Sequence, residues 1–243
     1  MTVVNSKRFD GRAVLITGGA GGIGRVLRAG FEAEGAIVAT VDPAGGDYPV
    51  DVTDPAALEL VCAEVADRYG RLDVLVCLAG GSLGTPPGIA EVSSSDVDRV
   101  LDVNVKGTLY ACRAALPYLR ESKGAVVACG SIGGRQPSPV TGVVYAAAKA
   151  AIGGLVRKLA REVGPDGVRV NAVAPGLFLT DRVGAMFEAL PEEEKAAVRG
   201  EIALGRMPEL RELVEPVLFL AGEASSYVTG VTLDVNGGRF MPL

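Results

Sequence analysis

The sequence predicts a doubly wound α/β fold, a mostly parallel, seven-stranded sheet with helices on both faces. Apolar runs alternate with helix-length stretches along the chain, a glycine-rich turn separates the first run from the first helix, and no Pro/Ser-rich linker or repeat divides the 243 residues. The runs fall at residues 12–17, 36–41, 73–78, 124–130, 168–174 and 231–235, and a short segment at 48–50 adds a seventh strand. Helical stretches fall near 22–34, 55–69, 96–119, 143–164 and 209–222. Strands apolar on both faces need cover on both sides, and right-handed crossovers place helices there. At 49% hydrophobic content the chain can bury one large core, so residues 1–243 are expected to form a single domain with a lid at about 176–208.

The first strand runs directly into Gly18-Gly19-Ala20-Gly21-Gly22-Ile23-Gly24 and then a helix. Glycines let the backbone turn tightly and approach a pyrophosphate, and the free N–H groups at the following helix start face the anion. The second strand ends at Asp42, 18 residues after Gly24, near the spacing at which a carboxylate accepts from adenosine ribose hydroxyls. Asp42 would also repel a 2′-phosphate, and no Lys or Arg stands inside the loop before Gly24 to offset it, so NAD is the expected cofactor. A dinucleotide-binding domain follows from this pattern.

Tyr145 and Lys149 lie four residues apart in a helical stretch, so a phenol and an amine share one face about a turn apart. A neighbouring cation favours phenolate, which suits the pair to proton exchange in a partly closed site. In a sheet of this kind ligands bind beyond the carboxyl ends of the strands. Gly18, Asp42, Ala79, Ser131 and Pro175 all fall just after strands, which brings them to one cleft with the Tyr-Lys face.

Composition narrows the chemistry. Histidine is absent, which removes Ser-His, Cys-His and His-ligated metal mechanisms, and no metal site is expected. A net charge of −5 with scattered basic residues argues against a nucleic-acid surface. Cys62, Cys77, Cys112 and Cys129 form no Cys-x-x-Cys pair and sit in apolar stretches, so they are expected to be buried thiols of a reducing cytoplasm. No apolar run approaches membrane-span length and residues 1–10 lack a signal core, so a soluble cytoplasmic protein is expected. Glu192-Glu193-Glu194 reads as a solvated helix start after Pro191.

Several separated motifs together resemble the short-chain dehydrogenase/reductase family over essentially the whole chain. Thr17-Gly18-x-x-x-Gly22-Ile23-Gly24 is similar to its cofactor loop, Asp51-Val52 to its adenine-contacting pair, and Asn104-Val105-x-Gly107 to its helix motif. Ser131 stands 14 residues before Tyr145, and Pro175-Gly176-Leu177-Phe178-Leu179-Thr180 looks like the nicotinamide-side turn. One motif departs: Cys77-Leu78-Ala79-Gly80 stands where the family usually has Asn-Asn-Ala-Gly, which implies weakened local support with retained cofactor binding.

The resemblance implies a Rossmann-type fold and hydride transfer between NAD(H) and a secondary alcohol or ketone. It implies Tyr145 as general acid/base, Ser131 as the hydroxyl orienting the substrate oxygen, Lys149 as holder of the nicotinamide ribose, and Asn104 as holder of a proton-relaying water. Cofactor contacts would come from Gly18, Gly22, Ile23, Gly24, Asp42, Asp51, Val52, Ala79, Gly80, Tyr145, Lys149, Pro175, Gly176, Phe178 and Thr180. Phe178, Met186, Phe187 and Leu190 of the lid, with Gln136, Val140 and Thr141 near Ser131, would line a mostly apolar substrate pocket for a small neutral molecule. Broad apolar arcs on the 103–119 and 143–164 stretches call for a partner beyond one buried face. In the family these helices commonly pair between copies, with the segment from Arg239 to Leu243 contributing further, so a homotetramer is expected. Competing readings are an NADPH-dependent 3-oxoacyl-carrier-protein reductase and a non-catalytic dinucleotide sensor or scaffold.

Overall fold

The computed structural model describes residues 7–138 and 141–242, apart from the side chain of Arg182. Six strands form one sheet among the described residues: β1 (Ala13–Thr17), β2 (Ile37–Val41), β3 (Val74–Cys77), β4 (Ala125–Cys129), β5 (Arg169–Pro175) and β6 (Thr232–Val235). Their order is β2-β1-β3-β4-β5-β6 and every pairing is parallel. The expected strand at 48–50 is corrected to a single bridge between Val41 and Tyr48. Pro49 has no N–H to donate, and Val50 N turns back to the Tyr48 carbonyl, so the ladder stops there.

Alternate strand residues feed two cores, which is why the strands read as unbroken apolar runs. Leu15, Leu75, Cys77 and Val126 point into one core with Leu58, Cys62, Cys112, Ile152 and Val156. Val14, Ile16, Val74, Val76 and Val127 point into the other with Leu27, Phe31, Val217 and Leu218. Helices α2 (Pro55–Tyr69), α4 (Gly107–Ser122) and α5 (Val143–Val163) therefore cover one face. Helices α1 (Gly22–Ala33) and α8 (Val214–Ala221) cover the other. Cys62, Cys77 and Cys112 share the first core as free thiols. Burial pushes the Cys62 thiol up to about 12, and a hydrogen bond with Cys112, together with burial, pushes Cys77 up.

The expected continuous helix at 96–119 is interrupted. Helix α3 (Ser94–Leu101) opens with a capping box between Ser93 and Asp96, then widens into a π segment, Asp102–Lys106, before α4 begins. The widening follows from Asn104, whose amide is held across the loop by the backbone of Gly81. Gly107 then lets the chain pass close to Val52, since a side chain there would meet the Val52 methyl at 2.6 Å. The stretch at 209–222 likewise divides into a short 3₁₀ turn, Leu210–Leu213, and α8.

The lid contains two helices, α6 (Asp181–Glu188) and α7 (Glu192–Gly200), the second starting after Pro191 with three glutamates in its first turn. They enclose a small core of Leu177, Phe187 and Val198, against which Leu179, Val183, Leu190 and Met207 pack. Phe187 is fully buried there, so Phe187 and Leu190 serve the lid's own packing rather than the pocket for which the sequence offered them. No helix among the described residues is long and apolar enough to cross a membrane.

Candidate active site

The strand order reverses between β1 and β3, and the loops after these strands form a trough at their carboxyl ends. Gly18 has φ +74°, and a Cβ on it would stand 2.8 Å from the Ala79 amide nitrogen. Only glycine lets the two loops touch here. Helix α1 begins beyond Gly21 with no side-chain cap and no acidic residue in its first turn, so its leading N–H groups remain open to an anion. The trough is walled by Gly18, Gly22, Ile23, Gly24, Asp42, Asp51, Val52, Ala79 and Gly80, as the sequence predicts. A dinucleotide therefore fits the residues present: a glycine cradle for the pyrophosphate and carboxylates at the adenosine end.

Asp42 is oriented by two backbone donors, Ala20 N at 3.1 Å and Ala44 N at 2.9 Å, which tie it to the glycine loop. Asp51 closes a tight turn by accepting from the Thr53 N–H and hydroxyl at 2.9 and 2.8 Å. Arg25 donates to the Ala20 carbonyl at 2.7 Å and reaches to 3.8 Å from Asp181 at the start of the lid. Thr180 caps α6 by accepting from Val183 N, and its methyl lies against Gly22. That contact seats the lid on the glycine loop.

A second cleft continues from the trough, sharing Ile23, Leu78, Gly80, Cys129 and Thr180 with it. Ser131, Tyr145, Lys149, Pro175, Gly176 and Phe178 meet there, with Thr141 and Met186. Ser131 follows β4, and its Oγ accepts from Gly133 N at 3.1 Å, which fixes its rotamer at the head of a short turn. Lys149 is buried, donates to the Cys129 carbonyl at 2.8 Å and stands 5.7 Å from the Tyr145 ring centroid. The Tyr145 hydroxyl has no hydrogen-bond partner among the described residues, so its proton position is open to whatever enters the cleft.

Gly80 makes this assembly possible. With φ +150°, it places no side chain between Asn104 and Lys149, whose Nζ would lie 3.2 Å from a Cβ there. Asn104 itself is fully buried and does not line the cleft. Its Oδ1 accepts from Gly81 N at 3.0 Å, and its Nδ2 donates to the carbonyls of Gly81 and Val100 at 2.9 Å each. The side chain is thus fully hydrogen-bonded, tying the 80–81 turn to the end of α3, and the backbone carbonyl of Asn104 accepts from the Thr108 hydroxyl at 2.8 Å.

Leu78 takes the place expected of an amide and packs into the second core, while also facing trough and cleft. Backbone support comes instead from Thr17: its carbonyl accepts from Leu78 N at 3.1 Å and its hydroxyl from Ala79 N at 3.3 Å. The expected weakness at this turn is therefore offset locally. Leu78→Asn should lower stability by about 1–3 kcal/mol, because an amide would replace an apolar contact without a prepared partner. Urea unfolding and NADH titration of the variant check this; a stabilised variant would mean that the turn does lack support.

Of the other residues expected around the substrate, Gln136 donates to the Arg239 carbonyl at 3.4 Å rather than facing the cleft, and Val140 lies outside the described residues. Cys129, expected as a core thiol, is only half-buried and stands on the wall common to trough and cleft. Sequence reasoning placed Arg239 only in the segment expected to contribute to a tetramer and missed that it reaches the cleft wall from the turn after β6, where it carries the only positive charge besides Lys149 among the described residues. Nothing in its sequence neighbourhood, Gly237-Gly238-Arg239-Phe240, marks it out.

A family model described as enoyl-(acyl carrier protein) reductase matches residues 18–239. The chain is 35% identical over 246 residues to meso-2,3-butanediol dehydrogenase of Serratia marcescens, covering 95% of each. It is 34% identical over 249 residues to a 3-oxoacyl-(acyl-carrier-protein) reductase of Thermotoga maritima, covering 95% of this chain and 98% of that one. A solved short-chain type dehydrogenase/reductase from Mycobacterium ulcerans superposes with a TM-score of 0.87 at 32% identity, over 95% of this chain and 90% of the other. With the likeness running from the glycine loop to the turn beyond the last strand, the chain belongs to the short-chain dehydrogenase/reductase family of oxidoreductases.

Proposed function

We propose that the protein is an NAD-dependent dehydrogenase that interconverts a secondary alcohol and its ketone, the whole chain acting as one dinucleotide-binding domain with its lid at 176–208. The observation that carries this reading is the meeting of Ser131, Tyr145 and Lys149 in a cleft continuous with the glycine-lined trough. A bound nicotinamide dinucleotide supplies the hydride acceptor or donor. Gly18 to Gly24 and the start of α1 would receive its pyrophosphate, Asp42, Asp51 and Val52 its adenosine end, and Pro175, Gly176, Phe178 and Thr180 its nicotinamide side.

In the oxidative direction Tyr145 takes the proton from the substrate hydroxyl as the carbon–hydrogen bond is broken; in reduction it returns that proton to the carbonyl oxygen. Ser131 holds the same oxygen so that it faces the phenol. Lys149, fixed by the Cys129 carbonyl, supplies positive charge next to the developing phenolate and amine donors toward a ribose. Asn104 keeps the 80–81 wall in place, and a proton-relaying water would meet its backbone carbonyl rather than its side chain, whose polar atoms are all engaged.

Separate fluorescence titrations with NADH and NADPH, followed by an NAD-linked screen of secondary alcohols, test this. Tight NADH and weak NADPH binding supports it. The opposite preference would favour the carrier-protein reductase reading, and binding of neither would leave a non-catalytic scaffold.

The same reading extends to assembly as a homotetramer in a reducing cytoplasm. Leu109 on α4 is 47% exposed and Val143 on α5 is 50% exposed, while Leu155 and Leu159 are only partly covered. Light scattering should give about four times the 24.9 kDa chain mass. A monomer would refute the assembly.

A further inference from the structure

We propose that Arg239 reads a carboxylate on the substrate, so that the cleft takes hydroxy acids and the corresponding keto acids. This rests on the dehydrogenase reading and names its substrate class. The Arg239 side chain is only 1% exposed, yet its guanidinium is incompletely paired. Nε donates to one oxygen of Glu201 at 2.8 Å, and Nη2 lies 2.8 Å from that same oxygen without the alignment of a hydrogen bond. Nη1 and Nη2 thus have no hydrogen-bond partner among the described residues. Buried donors are nearly always satisfied, so an unpartnered Nη1 beside an Nη2 held only by ion-pair contact calls for an acceptor. Glu201 is half-exposed, and water screens the charge it offers.

The surroundings specify the acceptor. Lys149 and Arg239 are the charged residues of the cleft wall, which carries no Asp or Glu among the described residues. Ser138, on the same wall, has a buried hydroxyl that is also without a partner among the described residues. The remaining wall beside these groups is largely apolar, including Ile132, Leu177, Phe178, Val183 and Met186. A planar carboxylate can take two parallel N–H bonds from the free edge of one guanidinium while Lys149 serves the reacting end. A short carbon chain between carbinol and carboxylate would lie on the apolar wall.

The test compares 2-, 3- and 4-hydroxy acids of four to six carbons with their methyl esters. Binding to the NADH-loaded protein is followed by calorimetry and turnover is followed with NAD. At least one acid should bind, and be oxidised, at least tenfold better than its ester. Arg239→Met should abolish that preference, raising KM at least tenfold more for the acid than for its ester. Arg239→Lys, which keeps a cation, should restore part of it. Glu201→Gln separates substrate reading from the ion pair that holds Arg239: it removes the carboxylate charge but keeps an oxygen that accepts from Nε, and should preserve the acid preference. No acid preferred over its ester, equal losses on acid and ester in Arg239→Met, or the same defect in Glu201→Gln would each overturn the proposal. Failure of both cofactors to bind would sink the dehydrogenase reading, and the acid–ester binding comparison on the cofactor-free protein would still decide the role of Arg239.

Discussion

Tyr145→Phe should reduce turnover by about 100- to 10,000-fold, the range expected when a general acid/base is removed, while NADH affinity and thermal stability stay close to wild type. The expectation is sharp because of how the tyrosine sits. Phenylalanine keeps the ring over which Lys149 stands at 5.7 Å, so the shape of the cleft survives. The lost hydroxyl has no hydrogen-bond partner among the described residues, so its removal strands no buried donor or acceptor. Lys149 retains its bond to the Cys129 carbonyl, which anchors the amine independently of the phenol. Stopped turnover in a protein that still enhances NADH fluorescence would assign the proton transfer to Tyr145. Unchanged turnover would remove it from the mechanism, and a parallel loss of cofactor affinity would mean that the ring, not the proton, is what matters.

Much of this arrangement could be read before the structure because it rests on local rules. β1, the glycine loop and α1 follow one another within about twenty residues, and two-sided burial forces the strands to be apolar throughout. Asp42 was legible because it ends β2 directly. What escaped depends on contacts between distant parts of the chain. The π segment inside 96–119 exists because Asn104 grips Gly81, more than twenty residues earlier, and no periodicity in its own stretch announces that. The segment at 48–50 has strand-like residues but a proline where the ladder needed a donor. Phe187 and Leu190 were apolar residues of the lid, and only the folded lid shows that they face Leu177 and Val198. Arg239 is the largest omission. It follows two glycines with φ of +65° and +79°, and it is this left-handed turn, together with Glu201 from the far end of α7, that carries a C-terminal arginine to the cleft.

Replacing Asp42 should change cofactor choice more than any other single substitution, and two variants distinguish the reasons. The carboxylate accepts from Ala20 N and Ala44 N, which shapes the glycine loop, and on the proposed NAD reading its negative charge also repels a 2′-phosphate. Asp42→Ala removes both. Losing charge-assisted hydrogen bonds worth about 1.5–3 kcal/mol should weaken NADH binding by roughly 10- to 100-fold. Asp42→Asn keeps a carbonyl acceptor but removes the charge, so NADH binding should fall less while NADPH binding improves. Arg25 lines the same trough as Asp42, but in the native protein it is engaged by the Ala20 carbonyl and faces Asp181. Parallel fluorescence titrations of the two variants with NADH and NADPH measure these effects. If Asp42→Asn gained nothing with NADPH, discrimination would have to come from the shape of the trough rather than from charge. A wild-type protein that already preferred NADPH would show that Arg25 outweighs Asp42, and would bring the carrier-protein reductase reading forward with it.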